Sequence, residues 1–299
     1  MTARLLIYVL AAALGLRLTG VGNASEPDYQ VALRHVRQGE WKSAEAALNH
    51  LLGQSPGYMP AVLLKARVLF ATGRYAEALQ TARQFIEHEP ESGEAHKLAA
   101  LACFMTGDQQ GAGAELQKAV KLAPGDAESF YYLGRVYFTA SNLPGALSAF
   151  ESAVKLDPGS VRAYNHLGQT LEGLARFAEA KTAYLTAIKL EVAQKTRSEW
   201  PFHNLGTLLL QQGELAEAAE YFRQALARNP KLVESKVKLA MTLSLSGKLA
   251  EAQALLGEAV ALEPRSAEAH YQLGRLLTKM GKQEEARKHY AVFQELQKK

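Results

Sequence analysis

A chain of 299 residues carrying 34 Lys and Arg against 30 Asp and Glu, a formal net charge of +4, has too small an excess to bind nucleic acid by phosphate neutralisation. Its single cysteine, Cys103, excludes an internal disulfide and a cysteine-paired metal site. A hydrophobic fraction of 48% supplies a sizeable core, and length alone would suggest two domains.

Residues 1–24 stand apart from the rest. Arg4 and the amino terminus give a positive start, Leu5 to Leu16 is an unbroken apolar run, and Gly22-Asn23-Ala24 is small at both specificity positions of an A-x-A-like cleavage site. This is the layout of a secretory signal, and its apolar run falls short of the roughly 20 residues that span a bilayer. Cleavage after Ala24 is expected, and the 34 basic side chains then lose Arg4 and Arg17, leaving 32 against 30 acidic ones. The alternative is an uncleaved inner-membrane anchor over residues 5–22.

From residue 25 onward one alanine returns at a fixed slot: Ala44, Ala78, Ala112, Ala146, Ala180, Ala218, Ala252 and Ala286. The spacing is 34 throughout except from Ala180 to Ala218, where it is 38. Twelve residues earlier stands another small residue, Ala32, Ala66, Ala100, Gly134, Gly168, Gly206, Ala240 or Gly274. Two small residues per unit let paired antiparallel helices approach closely. Five residues before the alanine is a turn position, glycine in six units and Ser141 or Ala175 in the other two. Glycine there supplies the left-handed residue that ends a helix. Twelve residues after the alanine comes proline, at Pro56, Pro90, Pro124, Pro158, Pro230 and Pro264, with Val192 in its place in the fifth unit. Proline stops the second helix because it lacks an N–H and restricts the residue before it.

By these residues the chain resembles the tetratricopeptide repeat proteins over essentially all of residues 25–299. The units are 25–58, 59–92, 93–126, 127–160, 161–194, 199–232, 233–266 and 267–299, with an insert at 195–198. The resemblance implies an all-α, right-handed superhelical solenoid of antiparallel helix pairs, stacked as one array. It also implies a concave groove built from slots 5, 9, 12 and 13 of each first helix. In units two to four these slots include Arg67, Phe70, Lys97, Phe104, Met105, Tyr131, Arg135 and Phe138. In units five and six they are Asn165, Gln169, Glu172, Gly173, His203, Thr207, Leu210 and Gln211.

Six groove residues are basic (Arg37, Arg67, Lys97, Arg135, Arg275 and Lys279) against the single acid Glu172, a bias that favours an anionic partner. The aromatic and Met cluster of Phe70, Phe104, Met105, Tyr131 and Phe138 offers anchors for an extended peptide; the alternative is that neighbouring repeats cover slots 12 and 13 and some of these aromatics are core. The acids that open the first helices (Glu94, Glu128, Glu234 and Glu268) suit the positive end of the helix dipole. The family's carboxylate clamp is not expected, because Lys97 and Arg135 lack asparagines in the matching slots.

At the joint between units five and six, IKLEVAQKTRSEWPF, no proline stops the helix near Leu190, which should run on by about one turn. Trp200, with Asn165 and His203, is expected to form a secondary contact patch there. No phosphate loop, H-E-x-x-H or G-x-S-x-G motif occurs. Catalytic residues, cofactor and metal site are therefore all expected to be none. The sequence reads as an exported, non-catalytic protein-interaction scaffold of the bacterial envelope, binding a protein or peptide segment. The alternatives are a membrane-tethered or cytosolic adaptor and a non-catalytic subunit of an enzyme complex such as a glycosyltransferase. Oligomeric state is not read from the sequence.

Overall fold

The computed structural model describes residues 25–298, so the expected export signal at 1–24 lies outside the described residues. Among the described residues there are sixteen helices and no strand. The chain divides into two compact units, one ending at Leu156 and the other beginning at Asp157. Unit one contains α1 (Ser25–Gln38), α2 (Trp41–Gln54), α3 (Met59–Ala71), α4 (Tyr75–His88), α5 (Gly93–Thr106), α6 (Gln109–Leu122), α7 (Ala127–Thr139) and α8 (Leu143–Leu156). Unit two contains α9 (Val161–Gly173), α10 (Phe177–Gln194), α11 (Trp200–Gln211), α12 (Leu215–Arg228), α13 (Val233–Leu245), α14 (Leu249–Leu262), α15 (Ala267–Lys279) and α16 (Gln283–Gln297).

Within each unit every helix packs on the next in sequence. Odd-numbered helices also touch one another, α1 on α3 and α3 on α5 in unit one, and α9 on α11, α11 on α13 and α13 on α15 in unit two. The odd helices therefore form one wall of each unit and the even helices the layer behind it. This is the all-α solenoid of helix pairs that the repeat implies.

The helix ends follow from the slots. Each even helix that precedes a repeat proline stops two residues short of it, as α6 does at Leu122 before Pro124. Several odd helices open on a capping side chain: Ser92 accepts from the Ala95 N–H at 3.2 Å and Ser160 from the Ala163 N–H at 3.3 Å. The turn position takes the left-handed conformation in every unit, whether or not it is glycine: Ser141 and Ala175 both sit at φ 58°, beside glycines such as Gly107 at 85°. Tertiary packing has imposed there a conformation that costs a residue with a Cβ about 1–2 kcal/mol. Ala175→Gly should thus stabilise unit two by about 0.5–1 kcal/mol, the strain relief less glycine's extra unfolded entropy. A urea midpoint that does not rise would count against this account.

Close approach is set by a second coupling. Where the small slot is glycine, an aromatic sixteen residues later lies against it. A Cβ on Gly134 would meet the Phe150 ring at 2.7 Å, and one on Gly168 would meet Tyr184 at 2.5 Å. Gly206 and Gly274 stand in the same relation to Phe222 and Tyr290. Where the slot is alanine, the partner is aliphatic: Ala32 with Leu48, Ala66 with Ala82, Ala100 with Leu116 and Ala240 with Leu256. In seven of the eight hairpins volume is traded between the two helices, a smaller slot residue meeting a larger partner; Ala66 with Ala82 is the exception.

α10 departs from the pattern as expected, running 18 residues where the other even helices of unit two run 14 or 15. Lys195, in the left-handed conformation, ends it. The added turn is packed: Glu191 is buried and pairs with Arg228 of α12 at 3.0 Å, and Gln194 Nε2 donates to the Gly159 carbonyl at 2.7 Å.

Candidate partner-binding site

The wall of unit one carries eight of the residues singled out by slot, in three environments. Phe70 and Tyr131 are core: Phe70 is 7% exposed and edge-on to Tyr75, and Tyr131 is 6% exposed beside Phe150. As anchors for a partner they are corrected by their burial: Phe70 packs in a core cluster that includes Leu98 and Ala102 of the next repeat, and Tyr131 lies against Phe150 of its own. Met105, at 50% exposure, faces solvent, while Phe104 and Phe138 are half-buried.

The basic residues are met by the acids of the following repeat. Arg67 of α3 pairs with Glu94 at the start of α5. Lys97 of α5 lies 3.2 Å from Asp126 and 3.4 Å from Glu128 at the start of α7. These carboxylates do more than complement a helix dipole: they meet the charge of two of the six basic residues that counting slots picks out. Arg135 differs. No carboxylate pairs with it among the described residues, and its guanidinium lies over the Phe104 ring at 4.5 Å, with Tyr132 and Tyr131 at 5.7 and 5.9 Å. An arginine on an aromatic face keeps its outward N–H groups available to a carboxylate.

Unit two presents a cleft of about 470 Å³ on its wall. α9 contributes Gln169, Glu172 and Gly173, α10 contributes Phe177 and Tyr184, α11 contributes His203, Asn204, Thr207 and Gln211, and α13 contributes Lys238. Six of these ten residues occupy the slots named from sequence; Asn204, Lys238, Phe177 and Tyr184 do not. Asn204 and Lys238 share slot 6, one step round the helix from slot 5, so a wider reading of the wall would have included them. Phe177 and Tyr184 belong to the layer behind and had no signal in a first-helix pattern.

Several polar groups of the cleft are held in place. Tyr184 is fully buried and donates its hydroxyl to Glu172 Oε2 at 2.9 Å; burial and this carboxylate push its pKa well up, so it remains a donor. Asn204 Nδ2 donates to Asn165 Oδ1 at 2.9 Å, while Lys238 pairs with Glu268 of α15 at 3.0 Å.

Trp200 is 36% exposed and edge-on to His203 at 5.7 Å, so these two members of the expected patch meet. Asn165 is buried and committed to Asn204 instead. His203 is hydrogen-bonded to buried Ser235, Nδ1 to Oγ at 2.8 Å, and burial lowers its pKa from 6.5 to about 4.

A histidine kept neutral in the fold contributes fully above pH 6.5, and the contribution is lost as pH falls from there towards 4, because the unfolded chain takes the proton first. The loss should reach about 2–3 kcal/mol near pH 4.5. Urea unfolding of the parent and His203→Gln at pH 7 and 4.5 tests this. The gap between the two proteins should shrink by that amount, and a constant gap would refute it.

Three family models described as tetratricopeptide repeat match the chain: one at residues 29–87 and 63–127, one at 159–231 and one at 209–258 and 243–293. No curated protein matches it in sequence. Among solved structures it is similar to PilW, described as a widely conserved type IV pilus biogenesis factor, at 22% identity and TM-score 0.61 over 68% of this chain and 92% of that one. It is similar to PilF of Pseudomonas aeruginosa at 22% identity and TM-score 0.59, over 69% and 96% of the two chains. The Cut9–Hcn1 structure shares 14% identity at TM-score 0.64, over 92% and 54%. At these identities the likeness is one of fold. Family models spanning residues 29–127 and 159–293, on helix pairs repeating every 34 residues, place the chain in the tetratricopeptide repeat family.

Proposed function

We propose that this tetratricopeptide array is a non-catalytic scaffold of the bacterial cell envelope that holds a segment of a partner protein along the wall of its odd-numbered helices. The observation that carries this reading is the cleft of unit two, where Glu172, Asn204, His203 and Lys238 are already fixed by Tyr184, Asn165, Ser235 and Glu268. A preformed site leaves most of the ordering cost to the partner. In unit one, Arg135 above Phe104, next to exposed Met105, suits a carboxylate flanked by an apolar side chain. The export-signal pattern of residues 1–24 supports the envelope, as does the description of PilW as a pilus biogenesis factor. Among the described residues no helix is long and apolar enough to cross a membrane.

The test places a photo-crosslinking residue at Thr207 in the cleft, or at exposed Leu185 on α10, in the cell of origin. One partner should be captured from Thr207 and not from Leu185; equal capture, or none from Thr207, overturns the groove reading. Mass spectrometry of the mature amino terminus decides the compartment. A chain beginning at Ser25 supports export, and retention of residues 1–24 favours the tethered or cytosolic adaptor.

A further inference from the structure

The two charged residues of the unit-two cleft are not equivalent. Lys238 has its charge met by Glu268 at 3.0 Å. Glu172 has no basic partner among the described residues; its one hydrogen bond is from the neutral Tyr184 hydroxyl. His203, on the same cleft, is held neutral by burial and does not offset it. The cleft thus carries one unmatched negative charge, against the positive bias that counting slots gives the array.

That carboxylate is positioned. At the position of Tyr184 in their own repeats, units four and six have Phe150 and Phe222, facing the apolar Phe138 and Leu210 in the slot of Glu172, while unit eight has Tyr290, facing the polar Thr278. A hydroxyl thus occurs where the facing slot is polar; in the fifth repeat that group is a carboxylate, and the hydroxyl fixes one of its oxygens while leaving the other available. Phe177 lies beside it on the cleft with 42% of its surface exposed. Asn204, whose Nδ2 is used by Asn165, offers its Oδ1 as a neutral acceptor. A carboxylate, an exposed aromatic ring and an amide oxygen together match a cation on an apolar stem: the stem covers the ring, and the charged head reaches the carboxylate.

We propose that the unit-two cleft recognises a basic side chain, arginine or lysine, of the bound segment, with Glu172 as the specificity-determining residue. The inference rests on the groove reading above and adds to it the charge of the residue held there.

The test uses the full chain with its Gln and Asn side-chain amides labelled, and follows Gln169, Asn204 and Gln211 by NMR. The probes are acetyl-Gly-Arg-Gly-amide, acetyl-Gly-Lys-Gly-amide, acetyl-Gly-Gln-Gly-amide and acetyl-Gly-Glu-Gly-amide. The Arg and Lys probes should bind at least fivefold more tightly than the Gln probe, and the Glu probe most weakly of the four. Glu172→Gln, which can still accept from Tyr184, should abolish the ranking. In the parent chain the preference should also fall with added salt, a readout that does not depend on the variant folding. Equal binding of all four probes, or a ranking unchanged in Glu172→Gln, overturns the charge assignment while leaving the groove reading intact. No binding of any probe overturns the assignment too; the groove reading then stands or falls on the Thr207 crosslink.

Discussion

Gly134→Ala is expected to destabilise unit one by about 1–3 kcal/mol, the ordinary range for overpacking a core, and adding Phe150→Leu should return most of that loss. The added methyl would lie 2.7 Å from two ring carbons of Phe150, closer than a Cβ tolerates, and that ring is fully buried with no room to turn. The clash has to exceed the roughly 0.5–1 kcal/mol gained by removing glycine from a helix, so the sign of the net effect is itself informative. Phe150→Leu alone leaves a void beside Gly134 and should also cost about 1–3 kcal/mol. Together the two changes recreate the pair that the preceding repeat already uses, Ala100 with Leu116, both fully buried. Urea unfolding of the four proteins gives the coupling directly. Losses that simply add would show that the small slot and its partner are independent, and the volume-trading account would fail.

The eight small-slot residues and their partners sixteen positions later were all visible in the chain, and glycine coincides with an aromatic in every case. Helix boundaries were equally legible, because proline and the turn residue act through local backbone sterics. Even the exceptions obeyed: Ser141 and Ala175 take the glycine conformation, and α10 extends where Val192 replaces proline. Charge was less legible. Glu94, Glu128 and Glu268 each suit the start of their own helix, and a one-helix reading stops there. Their partners Arg67, Lys97 and Lys238 lie 27 to 31 residues earlier, on the previous odd helix. The same limit left open which aromatics are core: cover by a neighbouring repeat was foreseeable at slot 12 for Phe70 but not at slot 5 for Tyr131, since a slot pattern gives a side chain's direction but not what is placed over it.

The joint after the fifth repeat illustrates that limit and supports the second large effect: Arg228→Met should destabilise unit two by about 3 kcal/mol, and the double change Glu191→Leu with Arg228→Met should recover most of it. The insertion adds a turn to α10 and brings Glu191, 3% exposed, under Arg228 of α12. Arg228 bonds Glu191 at 3.0 Å and the Gln224 carbonyl at 3.0 Å, and its guanidinium stacks on the Phe202 ring at 3.6 Å. Its Nε is buried without a hydrogen-bond partner, so the pair is not ideally satisfied, and an apolar replacement of both residues has little to lose. Removing the arginine alone strands a carboxylate out of water, a loss typically of about 3–5 kcal/mol. Because 21% of the Arg228 side chain is exposed, water reaches the site in part and the lower end of that range applies. Urea unfolding of the parent, Arg228→Met and the double variant separates the two roles the pair could have. If the double variant is as unstable as the single one, the ion pair itself holds the lengthened helix against α12. If it recovers, the apolar contact with Phe202 holds it, and the charges serve to set which way the added turn of α10 faces.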